Sequence, residues 1–245
     1  MHRFFIDAYG PDPDAERLGI EWLVREARKQ DLPCAVVVPS VDSISNLERA
    51  IGRDAAEFAA RDRYFVLEGV QVQVFTDRTC PGVFAGPLLI PWANGAMVGS
   101  AEESRPPAIC AIPWTEGDLD GWKRAYDPVD VRTGEPLGED QVELSPLVTQ
   151  ALTSLTACIN PSTGIHHPSD ARQARQFLKA LYIAGEPLDS TEIRTWALAH
   201  GWAARHAEAL AELAGKIAAG KRVKGAAMTK AEARQVIDRL KAAID

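Results

Sequence analysis

Residues 2–40 read HRFFIDAYGPDPDAERLGIEWLVREARKQDLPCAVVVPS, and this stretch decides the class of fold. Arg3 to Asp7 is a short apolar run that ends in a carboxylate, and Ala-Tyr-Gly-Pro then marks a turn. Asp12 followed by Pro13 has the form of an N-cap with proline at the first helical position. Leu18, Trp22, Leu23 and Ala27 recur at helical spacing to about Lys29. Cys34 to Val38 is then a β-branched strand closed by Pro39. Strand, helix, strand is the opening unit of an α/β layer.

The same alternation continues outward. Ser43 to Ile51 and Asp54 to Ala60 read as helices, and Tyr64 to Leu67 and Val70 to Thr76 as strands flanking Gly69. In the second strand Val70, Val72 and Val74 alternate with Gln71 and Gln73, the pattern of a half-buried strand. Leu88 to Pro91 and Ala108 to Pro113 are two more apolar strands, and Asp118 to Tyr126 is a short helix. Residues 1–130 are therefore expected to form an α/β domain, Rossmann-like in the loose sense, with a mostly parallel sheet. From Asp127 the chain is rich in Pro, Gly and Asp, and residues 131–143 are expected as a linker.

Residues 144–245 read as all-helical. Ser145-Pro146 starts a helix to about Cys158, and Ser169 is expected to cap one ending at Gly185, with Phe177, Leu178, Leu181 and Tyr182 turned inward. Asp189 with Glu192, and Thr229 with Glu232, are spaced as capping boxes, in which each side chain satisfies an orphan amide. Between them a helix is expected from about Ala203 to Ala219.

The chain has 245 residues, 46% of them hydrophobic and 25% charged, which is enough apolar surface to offset chain entropy and excludes disorder as the main state. The formal net charge of -7 repels nucleic acid on average. The tail is locally basic, with Lys216, Lys221, Arg222, Lys224, Lys230, Arg234, Arg239 and Lys241 against Glu232, Asp238 and Asp245. Cys34, Cys80, Cys110 and Cys158 form no C-x-x-C pair, so the close-spaced ligands of a structural zinc site are missing, and all four are expected to be reduced. The first residues lack the form of a signal peptide, and no run approaches ~18 apolar residues, so a cytoplasmic protein without membrane contact is expected. The Ala-rich, Arg- and Asp-containing helices have a bacterial character.

Several polar residues fall just past strand ends: Asp7, Ser40, Asp42, Asp77, Asn94, Glu116 and Asp118. Parallel strands bring such residues to one edge, where α/β proteins bind ligands. An internal echo adds two indoles there: Leu89-Ile90-Pro91-Trp92-Ala93-Asn94-Gly95 matches Ala111-Ile112-Pro113-Trp114-Thr115-Glu116-Gly117. Trp92 and Trp114 are candidates to wall a pocket, against the plainer reading that both cover the rim of the core. Asp7, Asp42, Asp77 and Asp118 are the weak candidates for a divalent metal such as Mg²⁺, although Asp42 and Asp118 also suit N-caps. His166 and His167 are the acid–base candidates, in a loop that, folded over the edge, would bring them with Asn160, Ser162 and Thr163 toward Asp7. No G-x-G-x-x-G follows the first strand and no phosphate-loop lysine motif is present, so no nucleotide-binding motif is found and the cofactor is left unknown, with a divalent metal a weak candidate; the absence of a G-x-S-x-G elbow argues against a typical α/β-hydrolase.

Ala197, Gly201, Trp202 and Leu210 stand at spacings that resemble a helix-turn-helix, with residues 220–225 as a winged-helix-like basic loop. Arg205, Lys221, Arg222 and Lys224 are then the nucleic-acid candidates. Glu208 and Glu212 on the second helix oppose phosphate, so a helical bundle for a partner is the plainer expectation. Three function classes follow. The leading one is a non-catalytic regulatory or accessory module binding a small ligand or protein partner. The others are a nucleic-acid-binding protein and a metal-assisted hydrolase or phosphoryl-transfer enzyme at the strand edge.

Overall fold

A computed structural model describes residues 1–138, 142–159 and 163–244. The chain divides into two compact units, 1–139 and 140–245. The first is an α/β unit and the second is helical.

In the first unit the described residues form one sheet of seven strands: β1 (His2–Phe5), β2 (Cys34–Val38), β3 (Tyr64–Leu67), β4 (Val70–Thr76), β5 (Leu88–Ala93), β6 (Ala108–Pro113) and β7 (Val129–Asp130). Their order is β3-β4-β2-β5-β6-β1-β7, with every pairing parallel except the β3–β4 hairpin. The sheet is mixed and mostly parallel, as the alternation predicts. The order departs from the dinucleotide-binding arrangement, in which the first strand neighbours the second. Here β1 lies between β6 and β7, three places from β2.

Alternate residues of each strand face opposite layers. Cys34, Val36 and Val38 of β2 pack with α1 (Pro13–Gln30), a 3-10 helix over Asp42–Leu47 and α3 (Arg53–Asp62). The four-residue α2 (Glu48–Ile51) links the last two. Ala35 and Val37 face the other way, with α4 (Gly95–Glu103) and α5 (Asp120–Tyr126). Helices thus cover both faces, and this double burial explains why β2, β5 and β6 are apolar at every position.

Asp12 caps α1 as expected, accepting from the amides of Asp14 and Ala15 at 3.0 and 3.1 Å. Two elements differ from expectation. Gly95–Glu103, to which the sequence reading assigns no element, is α4, with Asn94 as its N-cap. Val129–Asp130 forms β7, a strand the sequence reading does not assign, and the chain after it folds back so that Asp130 N donates to Glu135 O.

The second unit contains α6 (Pro146–Cys158), α7 (Pro168–Ala184), α8 (Ser190–Ala199), α9 (Ala204–Ala218) and α10 (Lys230–Lys241). Ser145, Asp189 and Thr229 cap their helices as the sequence predicts. Leu178 and Leu181 are buried, whereas Tyr182 is largely exposed. The α7 cap position falls to His167 rather than Ser169, because Pro168 starts the helix and Ser169 lies inside its first turn. No helix among the described residues is long and apolar enough to cross a membrane.

Candidate functional site

The carboxyl ends of the parallel strands gather the edge residues. The connections leaving adjacent strands β6 and β1 run to opposite faces, through α5 and α1, and such a divergence opens a crevice at the strand ends. Asp7, Tyr9 and Gly10 follow β1, Trp114 and Glu116 follow β6, and Arg132 follows β7.

Backbone bonds tie these loops together. Gly10 N donates to Trp114 O at 2.8 Å, and Arg132 Nη1 donates to Asp7 O at 2.9 Å. Tyr9 and Trp114 are 48% and 47% exposed, two large rings left half in water. Hydrogen bonding of the Tyr9 hydroxyl to the Asp7 carboxylate, then desolvation and the charges of Asp7 and Glu116, hold its phenol above the usual range, while Lys123 opposes them. The crevice is therefore aromatic, and the Asp7 and Glu116 carboxylates stand in it beside the Arg132 and Lys123 cations.

The two indoles of the echo part company. Trp92 is 2% exposed and has φ 56, because β5 carries one extra residue opposite β6 between Ile90 and Ala93. Such a bulge re-aims a side chain. Here it turns Trp92 onto the α1 face, where its indole N–H donates to Glu16 Oε1 at 3.0 Å. Trp92 is thus a core residue and offers no stacking face to a ligand, which corrects its pocket reading. Trp114, by contrast, is about half exposed.

Glu16 is absent from the candidates of the sequence, yet it is 1% exposed and its second carboxylate oxygen is buried without a partner. Desolvation raises its pKa, and the Trp92 hydrogen bond only partly offsets that. The available signal was position: Glu16 falls on the α1 stripe of Ile20, Leu23 and Ala27, where a carboxylate is out of place.

The remaining edge candidates are committed locally. Asn94 Oδ1 accepts from Ala96 N and Met97 N, both at 3.0 Å, as the α4 cap. Asp118 does not cap a helix, and one of its oxygens accepts from Thr115 N at 2.7 Å and Thr115 Oγ1 at 2.8 Å. Ser40 Oγ lies 2.9 Å from Ser43 Oγ, beside an exposed Asp42 whose side chain caps nothing. Asp77 is half-buried, its amide bonded to Val38 O at 3.2 Å. Among the described residues no three His, Cys, Asp or Glu side chains form a group able to hold a metal ion.

Asp7 belongs to the first unit, and His166 and His167 to the second. The His166 ring packs edge-on against His206, centroids 5.2 Å apart. His167 Nδ1 lies 2.6 Å from Ser169 Oγ, which itself donates to Asp170 Oδ1 at 2.8 Å. Thr163 precedes the turn Gly164–His166, and Asn160 and Ser162 lie outside the described residues.

In the second unit α8 and α9 are joined by a short turn with Gly201 at φ 80, and Trp202 Nε1 donates to Thr156 Oγ1 at 2.8 Å. The outer face of α9 carries Arg205, Glu208, Glu212 and Lys216, with Glu208 paired to Arg194 at 2.7 Å and Glu212 to Lys216 at 2.8 Å. Lys221, Arg222 and Lys224 are exposed on the loop after α9. Residues 140–245 hold 13 Lys and Arg against 11 Asp and Glu, a balance of +2, which leaves -9 of the total -7 for residues 1–139.

No curated protein and no solved structure matches the chain. Residues 144–241, less than half of it but nearly all of the helical unit, match a family described as a domain of unknown function, DUF1889.

Proposed function

We propose that this protein is a non-catalytic accessory module whose α/β unit binds a small organic cation in the β1–β6 crevice. The observation that carries the reading is the pairing of Tyr9 and Trp114, about half exposed, with the Asp7 and Glu116 charges. Carboxylates attract a cation and aromatic faces hold one, each such face contributing about 0.5–2 kcal/mol. The acidic balance of the unit adds long-range attraction. Asn94, Asp118 and Trp92 serve caps, turns and core, which leaves the edge better suited to binding than to acid–base work.

Thermal unfolding of the full chain with tetramethylammonium, spermidine, L-arginine and uncharged glucose tests this. Stabilisation by a cation, lost in Tyr9→Ala and in Asp7→Asn, supports it. An equal response of all three proteins rejects it.

A further inference from the structure

The α9–α10 loop borders an open pocket of about 650 Å³, within the range of small-molecule sites. Lys179 of α7 and Lys221, Arg222 and Lys224 of the loop line it, and no Asp or Glu does. None of these four forms an ion pair with a described residue, and Lys179 instead lies 4.5 Å from the centroid of the Tyr182 ring. Four like charges around one concavity repel each other until an anion neutralises them. Gly220 and Gly225 bracket the basic residues at φ 67 and 78, left-handed backbone that favours glycine. The amides of Arg222, Val223 and Lys224 find no acceptor among the described residues and are free to donate. The floor is apolar, made by buried Ile217 with half-buried Val223.

We infer that this cavity binds a phosphorylated small molecule of nucleotide size, with the phosphate on the Lys179, Lys221, Arg222 and Lys224 cations and its less polar part on Ile217 and Val223. Concavity favours such a ligand over a duplex, which needs an open basic stripe. The paired Glu208 and Glu212 on the outer face of α9 also weigh against a duplex. Arg and Lys differ in use here: the planar guanidinium of Arg222 suits two phosphate oxygens at once, whereas the lysines act as point charges.

The test is titration calorimetry of the full chain with AMP, adenosine, inorganic phosphate and a short DNA duplex, at low and high salt. AMP is expected to bind, adenosine not to bind, and phosphate to compete weakly. Arg222→Ala and Lys179→Ala are each expected to raise the AMP dissociation constant about tenfold, the loss of one charge-assisted hydrogen bond. Lys230→Ala, outside the cavity, is expected to leave it unchanged. Amide resonances of Gly220 and Gly225 in the wild-type chain should shift with AMP, a readout that needs no variant. Failure of AMP to bind, adenosine binding as well as AMP, or binding of the duplex alone would overturn the inference.

Discussion

Trp92 donates its indole N–H to Glu16 Oε1 at 3.0 Å although both side chains are almost wholly out of water. Burial raises the Glu16 pKa above its ordinary 4.5, so the folded state favours the protonated acid. A carboxyl raised on folding adds stability below the unfolded value, and that contribution is lost as pH rises through the folded one. Glu16→Gln is a neutral isostere that keeps the acceptor for Trp92. The variant should match or exceed the wild type in melting temperature at about pH 8, and the difference should close toward about pH 4. Parallel melting curves across that range would show that Glu16 does not titrate with folding.

The Pro-Trp echo separates into a core residue and a surface residue. Trp92→Ala should cost about 3–5 kcal/mol, because it empties a packed site and leaves the buried Glu16 carboxyl group without its donor. Trp114→Ala should stay within about 0.5 kcal/mol of wild type, since its ring is half in water. Urea unfolding midpoints measure both, and equal losses would contradict the burial difference.

A Cβ at Gly86 would lie 1.6 Å from the Pro33 carbonyl oxygen, a backbone atom that cannot step aside. Gly86→Ala should therefore cost at least about 3 kcal/mol or prevent folding. Gly69 in the β3–β4 turn has φ 81 but open space around it, so Gly69→Ala should cost only about 1 kcal/mol. Circular dichroism of both variants against urea distinguishes a steric from a conformational penalty.

Glu102 Oε1 accepts from Arg3 Nε at 2.7 Å and from Trp122 Nε1 at 2.9 Å, and the Arg3 guanidinium sits 3.6 Å from the centroid of the Tyr126 ring. Glu102→Ala leaves two mostly buried donors unpaired and should cost about 2 kcal/mol, whereas Glu102→Gln keeps an acceptor and should cost about 1 kcal/mol. Equal losses in chemical denaturation would mean that the carboxylate charge, rather than the acceptor, holds this corner.

The sequence makes legible what local chemistry determines. β2, β4 and β6 end at Val38, Thr76 and Pro113, where the sequence reading ends them. α4 is hidden because Gly95-Ala96-Met97-Val98-Gly99-Ser100 has little polar contrast between its faces, and its cap, Asn94, resembles an edge ligand. Strand order depends on pairing between distant segments, which no local pattern encodes. Trp92 is mislaid for a related reason: one inserted residue reverses which face every later side chain takes. In the candidate crevice Asp7, Trp114 and Glu116 are readable from their positions after strands. Tyr9 and Arg132 enter through a loop and through β7, whose place beside β1 emerges only from the fold.

The place of β1 also sets a timetable. His2 pairs with Ala108 and Phe4 with Val129, so the first strand of the α/β unit waits for the last strands of that unit before it gains a neighbour. Closing so long a loop is entropically expensive and slow, and it leaves Phe4, Phe5 and Ile6 uncovered while the intervening chain is being made. A nascent chain of this protein is therefore most exposed to chaperones and to self-association just before about residue 130 emerges. The α/β unit completes by seating its own beginning.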